Sequence, residues 1–343
     1  MGGNIYRKVL ETMESSNSIA IETVFRGTAG SLKEDMRRTL KEAEPAADSD
    51  GHMRAGVLCR EENGRTVLCE PVFPPERLVI LGGGHVALQL CEMASKCEFR
   101  TTVCDDRPEF ADRRRFAAAE DVLCGPFEDC LRSLRITPFD YVVILTRGHA
   151  HDGDCLRTIL SGPEPAYTGM IGSRRKVSGL LDELRKEGFR KEKLDRICAP
   201  IGLRIGAVTP QEIAVSIMAQ LIAYRRMPEH ANGRVCRDTD LTPEIIRYLA
   251  EETGPKAVAT VIETRGSTPR RAGAKMAVTA EGKIIGTIGG GGGEATVIRE
   301  AGKMIGTGMY RVCFVDMTGQ VAEREGMVCG GSMKVLIEDG CVL

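Results

Sequence analysis

Long hydrophobic runs are missing from this sequence. No stretch approaches the ~20 apolar residues that a membrane-spanning helix needs, so no membrane partner is expected. An excess of charge of either sign is also missing. The 47 Lys and Arg against 48 Asp and Glu leave a formal net charge of −1, with the two signs interspersed. That balance excludes the basic footprint of a nucleic-acid-binding protein or of one attracted to acidic lipid. The opening residues, MGGNIYRKVLETME, carry no apolar signal core, so a cytoplasmic protein is expected. Tyr6 stands where a myristoylation signal has Ser or Thr. The chain has 13 cysteines but no Cys-x-x-Cys pair, which argues against a structural zinc site. In a reducing compartment most of them read as small buried apolar residues. Cys329 is set apart from the rest by its place in a Cys-Gly-Gly motif.

At 343 residues the chain exceeds the size at which one core stops growing, so at least two domains are expected. What it has in plenty is glycine, in two runs. The first follows a short apolar strand, RLVIL (77–81), and Gly82-Gly83-Gly84-His85-Val86-Ala87 fits G-x-G-x-x-A ahead of an amphipathic helix. Gly82 allows a tight turn, Gly84 lets a pyrophosphate approach, and Ala87 lets helix and strand pack closely. The helix start offers free N–H groups to phosphate, with His85 at its first position. A second strand, 101–104, ends in Asp105, placed to accept hydrogen bonds from a ribose. NAD or another adenine nucleotide is the ligand this pattern predicts. The other reading is a domain that keeps the turn and has lost the nucleotide.

The alternation of strand and helix continues. YVVIL (141–145) feeds TRGHAHDGDC, where His149, His151, Asp152 and Cys155 fit either metal ligands or a polar loop capping the next helix. Gly172, Ser173 and Arg174 open a further helix suited to an anion, or are an ordinary solvated helix start. Thr209-Pro210-Gln211-Glu212 is a capping box with proline at the first helical position. The helix behind it ends a domain near Met227.

The second run, Gly289 to Gly293, follows an expected β-hairpin around Ala-Glu-Gly-Lys and is followed by Glu294. No acidic residue at strand spacing comes after it, so it is no second dinucleotide fingerprint. The turn reads as a place where N–H groups of Gly290, Gly291 and Gly292 face a large anionic ligand. Arg265, Arg270, Arg271 and Lys275 lie nearby in sequence.

RGSTPRRAGAKM, GTIGGGGGEA and VCGGSMKVLIE resemble the glycine-rich domain of the XdhC/CoxI family, accessory proteins of xanthine dehydrogenase and related molybdenum hydroxylases. LVILGGGHVA, CDDRPEFA, GMIGSRRK and APIGLRIGAVTPQEIAVSIMAQL resemble that family's Rossmann domain. The resemblance implies binding of molybdenum cofactor, its sulfuration with a cysteine desulfurase, and insertion into an apo molybdenum hydroxylase. It implies cofactor contacts from Arg265, Gly266, Ser267, Arg270, Lys275, Gly290, Gly291, Gly292 and Glu294. Where the family commonly has Ser-Gly-Gly-Cys before the glutamate, Gly289 and Gly292 stand here at the Ser and Cys positions. Cys329 is thereby left as the candidate sulfur or metal ligand, with His149 and His151 as further metal candidates. The family's usual domain order is also reversed.

A partial repeat accounts for that order. LETMESSNSIAIETVFRGTAG, from Leu10, aligns without a gap on LAEETGPKAVATVIETRGSTP, from Leu249, and Glu70 falls on Glu338. The expected fold class is α/β: a Rossmann-like doubly wound parallel sheet flanked by a glycine-rich α+β domain and a truncated N-terminal copy of it. The expected segments are the copy, lacking hairpin and glycines, at 1–75; the Rossmann-like domain at 76–228; a linker at 229–240; and the complete glycine-rich domain at 241–343. A homodimeric maturation factor is the expected function, with an NAD-dependent oxidoreductase or a non-catalytic cofactor scaffold as rivals.

Overall fold

The computed structural model describes residues 4–14, 19–43, 46–47, 53–74, 76–227, 236–317 and 330–342. The chain divides into two compact units, Met1–Pro74 with Arg237–Leu343, and Pro75–Cys236. The first unit begins with α1 (Ile5–Glu14), β1 (Ile19–Phe25), β2 (Ala29–Ser31), β3 (Met36–Glu42), β4 (Ala46–Ala47), β5 (Met53–Gly56), β6 (Leu58–Glu62) and β7 (Arg65–Val72). The second unit holds β8 (Arg77–Leu81), α2 (His85–Lys96), β9 (Arg100–Asp105), β10 (Asp121–Cys124), α3 (Phe127–Leu134), β11 (Tyr141–Ile144) and α4 (His149–Ser161). It continues with β12 (Tyr167–Met170), α5 (Arg174–Lys186), α6 (Lys191–Leu194) and α7 (Pro210–Arg226). The chain then returns to the first unit through β13 (Cys236–Asp238), α8 (Pro243–Glu251), β14 (Lys256–Arg265), β15 (Lys275–Thr279) and β16 (Ile284–Gly286). It closes with α9 (Gly291–Met304), β17 (Met309–Asp316) and β18 (Ser332–Asp339). Residues 236–238, expected within a linker, are thus strand, in a small sheet of order β13-β5-β4.

In the second unit five parallel strands run in the order β10-β9-β8-β11-β12. RLVIL sends Leu78 and Ile80 into one core, with Leu90, Ala94, Ile217 and Leu221 of α2 and α7. It sends Val79 and Leu81 into the other, with Leu131, Leu156, Leu180 and Leu184 of α3, α4 and α5. A continuous apolar run is what a strand covered on both faces requires. Each such side chain, fully withdrawn from water, contributes about 1.5–3 kcal/mol. Because β9 and β11 flank β8, the winding direction reverses there, and the loops at the carboxyl ends of β8 and β11 open a crevice. Thr209 and Glu212 form the expected reciprocal cap, with Pro210 in the first turn of α7.

The first unit stacks two antiparallel sheets, β3-β1-β7-β6 and β16-β15-β14-β18-β17-β2. Successive residues of β14 face opposite ways. Ala257, Ala259 and Val261 pack with Val297 and Ala301 of α9. Val258 packs with Ile19, Ile21 and the helices α1 and α8, and Ile262 packs with Phe25 and Leu68. The two halves match strand for strand, with β3-β1-β7-β6 standing to one another as β15-β14-β18-β17 do. The N-terminal segment therefore keeps a counterpart of β15, the first strand of the hairpin, contrary to expectation. Between β3 and β6 it has β4 and β5 where the other half has β16, the glycine turn and α9. The match is also out of step with the gap-free alignment. Thr23 pairs with Arg38 as Thr260 pairs with Lys275, whereas the alignment sets Thr23 on Ile262. A bulge between Val261 and Glu263 takes up part of the difference.

Candidate functional site

The fingerprint turn has the expected shape. Gly82 sits at φ +108, and a Cβ there would lie 2.4 Å from the carbonyl oxygen of Leu145. A Cβ on Gly84 meets nothing within 4 Å, so its approach side is open. Gly84 is also the N-cap of α2, whose first residue, His85, is exposed.

Asp105 corrects the sequence reading. Its side chain is 1% exposed and both oxygens are occupied by the chain itself. Oδ2 accepts from the Gly83 N–H at 2.7 Å, and Oδ1 accepts from the Arg107 N–H at 3.0 Å. The Arg107 guanidinium adds a two-pronged pair at 2.9 and 3.0 Å and stacks over Phe110 at 3.6 Å. The acid that was to bind a ribose instead fixes the glycine turn to the neighbouring strand. Sequence reasoning missed Arg107, and also Arg147, which pairs with Asp106 and holds its carboxyl below the usual carboxylate range. A basic residue two positions beyond the fingerprint acid was the available signal for Arg107.

For TRGHAHDGDC the structure gives a helix start. His149 is the first residue of α4, and its side chain lies outside the described residues. The His151 ring meets Phe127 edge-on at 5.5 Å. Asp152 is buried and accepts from the Thr146 hydroxyl at 2.6 Å, and Cys155 is core. Among the described residues no three potential ligands form a metal cluster. Gly172 and Ser173 precede α5, with Ser173 as its N-cap and Arg174 exposed.

In the first unit, three motifs converge at one end of the six-stranded sheet. A Cβ on Gly331 would lie 2.4 Å from the Ser267 carbonyl oxygen, and one on Gly266 would lie 3.0 Å from that of Gly330. A Cβ on Gly289 would lie 2.8 Å from the Pro269 ring. Backbone therefore meets backbone between RGSTP and the Gly-Gly after position 329, and the five glycines join them against the Pro269 ring. Arg265, Gly266 and Ser267 are exposed there. Arg265 pairs with Glu263 at 2.9 Å, and Arg270 is half-buried against Asp240 at 3.1 Å.

Glu294 is the second correction. Its Oε2 accepts from the N–H groups of Ile288, Gly289 and Gly290 at 2.9, 3.2 and 3.0 Å and from the Thr287 hydroxyl. The glycine nest is thus filled by the chain's own carboxylate, and the Gly290 N–H is spent. Burial alone would raise the pKa of Glu294. The Thr287 hydroxyl and the three N–H donors outweigh it and hold it below the usual range. The N–H groups of Gly291, Gly292 and Gly293 remain, as the first three residues of α9, without intrahelical partners. Those, with Gly290 facing open space, suit an anion.

Lys275 is the third correction. It is 3% exposed, between the two sheets, where Nζ meets Glu70 at 2.7 Å and the Thr260 hydroxyl at 2.8 Å. Arg38 answers it across the stack, bound to Glu338 and to the Thr23 hydroxyl at 3.1 Å. Each half lends its glutamate to the other half's cation. Burial by itself would lower the pKa of Lys275, and Glu70 more than reverses that, so the ammonium stays charged. Lys275 thus joins the two halves through Glu70. Cys329 lies outside the described residues.

Two family profiles match the chain: the XdhC Rossmann domain over residues 78–221, and the XdhC and CoxI family over residues 249–316. A stretch of 166 residues is 32% identical to a protein of Escherichia coli (strain K12) named "Uncharacterized protein YqeB", covering 46% of this chain and 30% of that protein. A stretch of 155 residues is 29% identical to a probable xanthine dehydrogenase subunit of Bacillus subtilis (strain 168), covering 45% of this chain and 44% of the relative. The matched stretch is therefore less than half the length of either relative. Among solved structures, a xanthine dehydrogenase of Bacillus halodurans is 25% identical over 63% of this chain and 62% of its own, with a TM-score of 0.48. Both compact units carry a match, and the chain belongs to the XdhC and CoxI family.

Proposed function

We propose that this protein is a maturation factor for a xanthine dehydrogenase-type molybdenum hydroxylase. In this reading it holds molybdenum cofactor as cargo, receives sulfur for it from a cysteine desulfurase, and hands it to the apo-hydroxylase. One observation carries the reading: three glycine-bearing motifs meet at one sheet end, in the unit matched by the XdhC and CoxI profile. The donor set there suits a phosphate-bearing cargo. The N–H groups of Gly291, Gly292 and Gly293 point out of a helix start, and the exposed Arg265, Gly266 and Ser267 border it. The second unit adds an adenine nucleotide at the Gly82–Gly84 turn. Its ribose recognition does not use Asp105, whose oxygens are taken.

Protein purified from a host that makes molybdenum cofactor should release a phosphorylated pterin detectable by mass spectrometry. It should also activate an apo-hydroxylase. Release of nicotinamide alone would overturn the reading. Cys329→Ser tests the sulfur step, with Cys236→Ser as control. Equal client activation by wild type and Cys329→Ser would remove Cys329 from it.

A further inference from the structure

The second unit carries an open cleft of about 570 Å³ away from the fingerprint turn, at the carboxyl end of β12. Its volume lies in the range of small-molecule sites. One wall is the start of α5, with Gly172 and Arg174; the other is the loop 200–207, with Arg204 and Gly206. Apolar surface from Ile171, Ile201, Leu203, Ile205 and Ile213 lines the rest, and no acidic side chain is among the lining residues.

The loop wall is anchored on both sides. The Ile201 N–H donates to the Met170 carbonyl of β12 at 2.9 Å, and the Leu203 N–H donates to the Ser216 carbonyl of α7 at 3.1 Å. The Gly202 N–H, between them, donates to the Gln220 side chain at 2.8 Å. Held this way, the loop presents Ile205 with 55% of its surface exposed.

Several arginines of the unit are already engaged by carboxylates. Arg77, Arg100, Arg107, Arg147, Arg157 and Arg196 of the same unit each hold a carboxylate. Arg174 and Arg204 are exposed and hold no carboxylate among the described residues. Two unneutralised guanidinium groups lining one cleft suit a doubly charged oxyanion. β12 lies two strand spacings from β8, about 10 Å along the sheet, on the edge where α/β sheets bind ligands.

We propose that this cleft binds a phosphate monoester of a flat ring, separately from the nucleotide. The phosphate lies between Arg174 and Arg204, and the ring lies along Ile171, Ile205 and Ile213. This rests on the reading that the chain handles a phosphorylated cofactor and places a subsite for it in the second unit.

The test uses the full chain and 4-methylumbelliferyl phosphate, a fluorescent flat-ring monoester, with unphosphorylated 4-methylumbelliferone beside it. The probe is supplied free, so a failure to co-purify cofactor leaves this measurement standing. The phosphorylated probe should bind and the unphosphorylated one should bind at least about tenfold more weakly. The double variant Arg174→Ala/Arg204→Ala should weaken probe binding by a similar factor, with an unchanged melting temperature because both side chains are exposed. Arg190→Ala, outside the cleft, should bind as wild type, and ADP should not displace the probe. Equal binding of the two probes, wild-type affinity in the double variant, equal weakening by Arg190→Ala, or competitive displacement by ADP would each overturn the proposal.

Discussion

The two glycine turns of this molecule look alike in sequence and are built in opposite ways. Each opens a helix, and each has N–H groups bound by a carboxylate of the same chain. At the fingerprint that carboxylate is Asp105, from the adjacent strand, and it takes a single N–H, that of Gly83. Gly84 is left open. At the five-glycine turn it is Glu294, from the helix the turn itself begins, and it takes three N–H groups in succession. The first turn is held by tertiary structure and leaves its approach side clear. The second is held locally and gives up much of its anion-binding capacity to hold its own shape. An acid beside a glycine turn therefore does not show a ligand contact, since the turn's own donors compete for it.

The largest effect expected is at a residue that belongs to neither turn. Lys275→Met should destabilise the protein by about 3–5 kcal/mol, because it leaves Glu70 charged and unpaired between the sheets. Arg265→Ala, at the exposed end of the same sheet, should change stability by no more than about 0.5 kcal/mol. Denaturant unfolding of both checks this. Equal effects would return Lys275 to the ligand site.

Glu294→Ala should cost about 2 kcal/mol, since three N–H donors lose their acceptor. Glu294→Gln, which keeps one oxygen, should cost less. The folded pKa of Glu294 is depressed, so its charge-dependent contribution is complete above the ordinary glutamate value of about 4.3. That contribution is lost as pH falls through the lower folded value. The melting-temperature gap between wild type and Glu294→Gln should therefore close below about pH 4. A gap independent of pH would mean that Glu294 is not the anion holding the turn.

The smallest effect on stability, and the sharpest on binding, is expected at Gly84. A side chain there meets no protein atom within 4 Å, so Gly84→Val should fold normally. It fills the space a pyrophosphate needs, and calorimetry should show adenine-nucleotide affinity lost. Equal affinity in wild type and variant would remove the fingerprint from nucleotide binding.

Much of this was legible in order along the chain. RLVIL, the glycine turn and Ala87 specify a strand, a tight turn and a close-packed helix by local rules, and the structure has all three. The capping box at Thr209 and the hairpin before the five glycines are local in the same sense. Three residues needed correction. Asp105 was given to a ribose by its place at the end of the second strand, and Lys275 and Glu294 to a cofactor by the family resemblance. A charge near a ligand and a charge near a backbone donor or an opposite charge look the same in sequence.

By itself the sequence determined the elements and the winding of the parallel sheet. Apolar period, turn residues and caps act over a few positions and leave few alternatives. Tertiary structure decided the partners. It brought Lys275 to Glu70 and Arg38 to Glu338 from opposite ends of the chain. It set Arg174 and Arg204 in the lining of one cleft and brought three glycine motifs to one end of a sheet. Burying a charge requires a counter-charge within reach, and which one is within reach is fixed when the sheets stack.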